Sequence, residues 1–370
     1  MPLRGEAVGR PTYDQLTQVV AQPDRLVFRA HHVLFDGPCW QKTVALTGLR
    51  DAMFATEPQL LEALDHSNIV QVREAQFDPQ FPDAVTFVMR HYPGGSATEA
   101  LGQGHRFGIN DAIALAFELL DALAYLHVDI GFVHRDVKPD NLLLDAPRTT
   151  GYLSDFGSAA RIRPDGTVHL AGYTLPYLDP DAAVNGRMTA QSDIYSAGMT
   201  LLALLGDAPL VDASFDAQKA ETRLRAGRCA LPPSRLAYAP HVPGVLRRVV
   251  NKMMQVNPNA RFASAADAAT ALRRLRTIDW NHTTGVGLDG EWIGTWPNRP
   301  ISRRRQYRVA STILSSGPRA GDRRLVAQWR TATRPWRGLA GGTATVTDER
   351  GVRQFFSEIS DRVTHSAAAS

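Results

Sequence analysis

The chain has 370 residues, 44 % of them hydrophobic and 21 % charged, enough for more than one folded core and too apolar for a disordered segment. Its formal net charge is +4, with 37 arginines and lysine only at positions 42, 138, 219 and 252, a bias that a GC-rich genome produces without any functional demand. Two distant cysteines (Cys39, Cys229) offer no disulfide framework, the N-terminus lacks the apolar core of a signal peptide, and the most apolar run, Ala197 to Leu205, is too short for a membrane span, so a cytoplasmic protein without a membrane partner is expected.

In chain order, residues 1 to about 20 read as a loose lead-in. Leu26–Ala30 and Cys39–Leu46 read as short strands separated by the turn residues Asp36-Gly37-Pro38. Pro58–Leu64 reads as a short helix with Thr56 as its N-cap. Ala84–Met89 is a buried-strand run that ends at Pro93-Gly94-Gly95. From Asp111 to His127 the periodicity predicts a helix with Leu115, Leu119, Leu123 and Leu126 on one face. Asp193–Leu205 is apolar nearly all round, as a helix in the middle of a lobe is, and Pro243–Met254 and Ser264–Leu275 add two more helices. The fold class is therefore α+β, a small strand-rich lobe followed by a large helical one.

Beyond residue 276 the composition changes. Residues 277–370 hold 14 arginines against 8 acidic residues, and five of the six tryptophans (280, 292, 296, 329, 336), which marks a second domain. Gln306–Ile313 and Arg324–Trp329 alternate as half-buried strands, and Val352, Phe355, Phe356, Ile359 and Val363 share a helical face. A small antiparallel sheet packed by a C-terminal helix is expected. Arg303-Arg304-Arg305 with Arg308 among the tryptophans could contact an anionic partner such as nucleic acid, but a solvated rim over core tryptophans is the plainer account; a protein-interaction or regulatory module is the expected role.

The chemistry concentrates in His134-Arg135-Asp136-Val137-Lys138-Pro139-Asp140-Asn141 and in Asp155-Phe156-Gly157. Phosphoryl transfer needs a base near the acceptor hydroxyl, cations against developing charge, and oxygen ligands for a metal on the phosphates. Asp136 would accept the hydroxyl proton, Lys138 would reach the γ-phosphate, and Asn141 and Asp155 would ligate magnesium. One such residue alone is more often a loop cap; the full string is not.

On these motifs the chain, over roughly residues 15 to 276, resembles the eukaryotic-like (bacterial-type) serine/threonine protein kinase superfamily. The resemblance implies the two-lobed protein-kinase fold over residues 21–276, with the small lobe to about 92 and the large lobe from 93, then the accessory domain 277–370. It implies ATP and Mg2+, a protein substrate, and serine/threonine specificity from Lys138 with Thr174. Thr174-Leu175-Pro176-Tyr177-Leu178-Asp179-Pro180-Asp181 resembles the end of an activation segment, in which Asp181 would pair with Arg261. Asp193 would hold the backbone of the His134–Asn141 loop. Arg135 beside the base is the feature of members switched on by phosphorylation, and Thr167 would receive that phosphate, unless it is simply an exposed loop threonine. In the adenine cleft the resemblance places Val27, the gatekeeper Met89, backbone groups of Arg90 and Tyr92, and Leu143 beneath the ring.

The small lobe departs from the family pattern. Aligning Val27-Phe28-Arg29-Ala30 with the usual second strand puts Val20, Gln22 and Arg25 where three phosphate-loop glycines are expected, and none is glycine. The strand lysine is either Lys42, which leaves the bulky Trp40 against adenine, or is replaced by Thr47. Its carboxylate partner falls on Glu57, with Glu62 as second choice. A pseudokinase that binds partners without turnover is the alternative reading.

Overall fold

The computed structural model describes residues 12–22, 25–34, 36–45, 60, 63–77, 84–206, 210–285, 287–296, 305–331 and 334–368. The small lobe is one antiparallel sheet of β1 (Tyr13–Gln22), β2 (Arg25–His32), β3 (Gly37–Ala45), β4 (Val72–Phe77) and β5 (Ala84–Arg90), in the order β1-β2-β3-β5-β4. Residues 13–20, expected to be a loose lead-in, instead form most of β1. This strand lies at the sheet edge and leaves Leu16 and Val19 exposed, so it is specified by its backbone ladder to β2 and not by an alternating buried face. Asp36 turns the chain into β3 with φ of 45°, a conformation that Asp tolerates better than most side chains. Cys39 of β3, Ala30 of β2 and Val88 of β5 meet in the core of this lobe. Leu60 and Ala63 are helical; Thr56 and Pro58 lie outside the described residues.

In the large lobe the helix Ile109–Tyr125 buries Leu115, Leu119 and Leu123, and a wider turn, Leu126–Ile130, carries it to Gly131 in a left-handed conformation. The helix Ala190–Leu204 is buried on every side from Ser192 onward. Gly198 lets the helix Gly244–Met253 approach it, because a Cβ there would stand 2.9 Å from both Met253 and Met254 side-chain atoms. The helix Ala265–Arg273 opens on Ser264, whose hydroxyl accepts from Asp267 N at 3.1 Å.

The accessory domain is a five-stranded antiparallel meander, Asp279–Thr284, Gly290–Thr295, Arg305–Ile313, Arg323–Thr331 and Arg337–Val346, followed by the helix Glu349–Ala368. That helix buries Val352, Phe355, Phe356, Ile359 and Val363, and Phe356 meets Trp280 and Trp292 edge-on, with ring centroids 5.3 Å away in each case. The domain packs directly on the large lobe. Asp279 accepts the Asn110 backbone N–H at 2.9 Å, and His241 of the large lobe packs against Trp292 and Phe356. Arg305 stacks on Trp329, and Arg308 and Arg330 stack on Trp336, so these arginines cover the sheet; Arg303 and Arg304 lie outside the described residues.

His241 gives this seam a pH dependence. Burial, with a smaller contribution from His282, lowers its pKa to about 3. The unfolded chain takes up this proton near pH 6.5 and the folded chain near 3, so its contribution to stability is complete above 6.5 and is lost as pH falls between the two, with a slope approaching about 1.4 kcal/mol per pH unit. Unfolding titrations at pH 7 and pH 5 should show wild type losing about 2 kcal/mol more than His241→Phe.

Candidate active site

The loop His134–Asn141 runs between the short strands Phe132–Val133 and Leu142–Leu144, on the side of the large lobe that faces the small one. Its backbone is fixed from below by Asp193, which is fully buried at the start of the central helix. One carboxylate oxygen accepts from Arg135 N at 2.9 Å; the other accepts from His134 N and from His127 Nε2, both at 2.8 Å. Sequence reasoning anticipated Asp193 but missed His127, whose only signal was a histidine directly after the last leucine of an apolar helix face. Arg135 sits at φ of 72°, a strained conformation that these anchors hold in place. Burial keeps His134 below the ordinary histidine range, and its ring, edge-on to Phe156, uses Nε2 to meet the Ser154 carbonyl at 3.1 Å.

At the top of the loop three side chains converge. Asp136 Oδ1 accepts from the Thr174 hydroxyl at 2.7 Å, and Asp136 Oδ2 accepts from Lys138 Nζ at 2.7 Å. Lys138 Nζ also donates to Thr174 Oγ1 at 2.7 Å. A hydroxyl thus lies between a carboxylate and an ammonium. Asn141 Nδ2 donates to the Asp136 carbonyl at 2.8 Å and to its carboxylate at 3.2 Å, which leaves the amide oxygen as the group open to a cation.

Asp155 adopts φ of 61°, and its Oδ1 lies 2.6 Å from Lys42 Nζ of β3. The β3 register sets Lys42 opposite Val27 on one side and Phe87 on the other. Trp40, two residues earlier, pairs with Met89 and has its ring 5.8 Å from His91. Met89 is half-buried, Arg90 ends β5 exposed, Tyr92 packs against Tyr152 at 4.5 Å, and Leu143 is half-buried in its short strand. The positions Val20, Gln22 and Arg25 lie in the paired strands β1 and β2, with Val20 paired to Val27 and Gln22 to Arg25, so the ladder runs through all three. Thr47, Glu57 and Glu62 lie outside the described residues.

The activation-segment expectation needs one correction. Arg261 pairs with Asp179 and not with Asp181: its NH2 lies 2.5 Å from Oδ1 and its NH1 2.8 Å from Oδ2. Asp179 precedes the helix Pro180–Asn185, in extended backbone directed into the lobe, and is 1 % exposed; Asp181 falls in the first helical turn and is half-buried. Nearer the loop, Arg135 donates to the carbonyls of Ser158 and His169. Thr167 donates to Asp165 Oδ1 at 2.8 Å and accepts from Arg163 NH2 at 2.9 Å.

A family model for the protein kinase domain matches residues 39–272, and the chain belongs to that family. The chain is 31 % identical to serine/threonine-protein kinase PknJ of Mycobacterium bovis over 62 % of its length, and 29 % identical to serine/threonine-protein kinase PrkC of Bacillus subtilis over 61 %. It is also 32 % identical, over 45 % of its length, to U-box domain-containing protein 33 of Arabidopsis thaliana. The matched segments span only 39 %, 34 % and 20 % of these relatives. Among the described residues no helix is long and apolar enough to cross a membrane.

Proposed function

We propose that the chain is a serine/threonine protein kinase that moves the γ-phosphate of ATP to protein hydroxyls. The observation that carries this is the Thr174 hydroxyl held 2.7 Å from both Asp136 and Lys138, with Lys42 of the small lobe reaching across to Asp155 of the large lobe at 2.6 Å. In this reading Asp136 takes the proton of the acceptor hydroxyl, and Lys138 offsets charge on the phosphoryl oxygens beside it. Lys42 supplies an ammonium to the non-transferring phosphates. Val27 and Leu143 enclose the adenine, whose edge meets backbone groups of Arg90 and Tyr92 past Met89. The oxygen donors of Asn141 and Asp155 fit Mg2+, which binds through one or two protein ligands and completes its shell from phosphate and water; bound there, it would neutralise phosphate charge. Proteins are the substrate class, with autophosphorylation at Thr167 beside Arg163, and the cytoplasm the location. The accessory domain acts as a protein-binding module; salt-sensitive binding of DNA or RNA by the full chain, lost on substituting its arginines, would point to nucleic acid instead.

Magnesium-dependent transfer of labelled phosphate from ATP to the chain itself or to a general acceptor should be seen with wild type and should fall about 1000-fold or more in Asp136→Asn. Equal signals from both proteins would defeat the enzymatic reading. The strand pairing at Val20, Gln22 and Arg25 favours a second reading, a pseudokinase that serves as a scaffold. Thermal denaturation with ATP and magnesium separates the two, since a ligand of the native state raises its stability; absence of both a shift at millimolar ATP and of transfer would establish the scaffold.

A further inference from the structure

Where the large lobe meets the accessory domain, a cavity of about 290 Å³ is lined by arginines from three elements: Arg247 and Arg248 on the helix Gly244–Met253, Arg276 after the helix Ala265–Arg273, and Arg353 on the C-terminal helix. Among the described residues Asp361 is the one carboxylate on the lining. Glu349 takes one arm of Arg353, and Arg276 donates to the carbonyls of Arg273 and Leu275. The Nε atoms of Arg247 and Arg353 are buried, with no hydrogen-bond partner among the described residues. Burial, then the charges of Arg353 and Arg248, disfavour the Arg247 cation. Half-buried cations that face one another are costly unless an anion sits among them.

Two further features point the same way. The helix Gly244–Met253 begins at the cavity, which Gly244 and Val245 line, and its N-cap Pro243 supplies no side-chain cap to its first amides. His241, 7 % exposed, also lines the cavity, and its Nδ1 has no partner among the described residues. We propose that this cavity binds a phosphate group, free or carried on a small ester, and that the bound anion ties the accessory helix to the large lobe. Phosphate is favoured over a carboxylate because four arginines, Arg247 and Arg353 half-buried and Arg248 and Arg276 exposed, line the cavity and its charge approaches −2. The volume admits a small molecule and little more.

The test is calorimetric titration of the full chain with inorganic phosphate at constant ionic strength made up with chloride, and then with glycerol 2-phosphate. One saturable site is expected, with a phosphate-dependent rise in melting temperature. Affinity should fall about tenfold or more in the double variant Arg247→Gln/Arg353→Gln, and severalfold in Arg248→Gln, an exposed position whose replacement leaves the fold intact. Arg324→Gln, on the far sheet, should bind as wild type does. Displacement of phosphate by the ester would show that esters enter; failure to displace it would restrict the site to free phosphate. Absence of saturable binding, or binding that survives in both Arg248→Gln and the double variant, overturns the proposal, the latter because the anion would then sit elsewhere.

Discussion

Arg261→Ala is expected to lower the stability of the chain by about 3–5 kcal/mol, because it strands a carboxylate in the interior. Arg261 and Asp179 have side chains 0 % and 1 % exposed. All five guanidinium N–H groups are engaged: two on Asp179, one on the Gln191 carbonyl at 2.8 Å, one on Val256 at 3.0 Å and Nε on Gln255 at 2.6 Å. With the arginine gone, Asp179 keeps the Ser192 hydroxyl and the Asp181 N–H, which do not offset its buried charge. Asp181→Ala, by contrast, should change stability by no more than about 0.5 kcal/mol. Urea unfolding of the two variants and of Asp179→Ala/Arg261→Ala checks this. The double variant should be less destabilised than the sum of its singles, since it removes both charges together. Equal losses in Arg261→Ala and Asp181→Ala would mean that the buried pair is not what holds this corner of the lobe.

That pair also shows what the sequence could and could not reveal. His134–Asn141 and Asp155 were legible because their chemistry is contiguous or nearly so, and the backbone between them has few ways to arrange itself. Asp179 and Asp181 stand two residues apart, and a motif match favours the second. Only the backbone decides, since one carboxylate leaves extended chain toward the core and the other leaves the first turn of a helix. β1 was hidden for a related reason: an edge strand held by ladder pairing need not show alternation. His127 was invisible because its partner lies 66 residues away. Two strands of the meander and its helix followed from periodicity; the strands Asp279–Thr284, Gly290–Thr295 and Arg337–Val346 did not, and the docking on the large lobe rests on long-range contacts such as Asp279 with Asn110, which no local pattern encodes.

The same limit applies to the cleft lysine, and there the structure sharpens the choice between Lys42 and Thr47 into a measurement. Lys42→Met should reduce phosphate transfer about 100- to 1000-fold, the range seen when one preorganised electrostatic group is removed from a transition state. The reason is placement: Lys42 is the cation that β3 brings to Asp155, at 2.6 Å, and its side chain is largely shielded from water by the two lobes, where a charge acts more strongly than in solvent. If its ammonium holds the phosphates in line, the loss should fall on kcat as well as on KM. Lys42→Arg should recover only part of the rate, because a planar fork replaces a point charge in a cleft shaped for the latter. Thr47→Ala should leave the rate within about twofold of wild type. Steady-state kinetics of the three variants settle the matter: full activity in Lys42→Met, or an equal loss in Thr47→Ala, would remove Lys42 from the ATP side of the reaction and leave the pseudokinase reading as the stronger one.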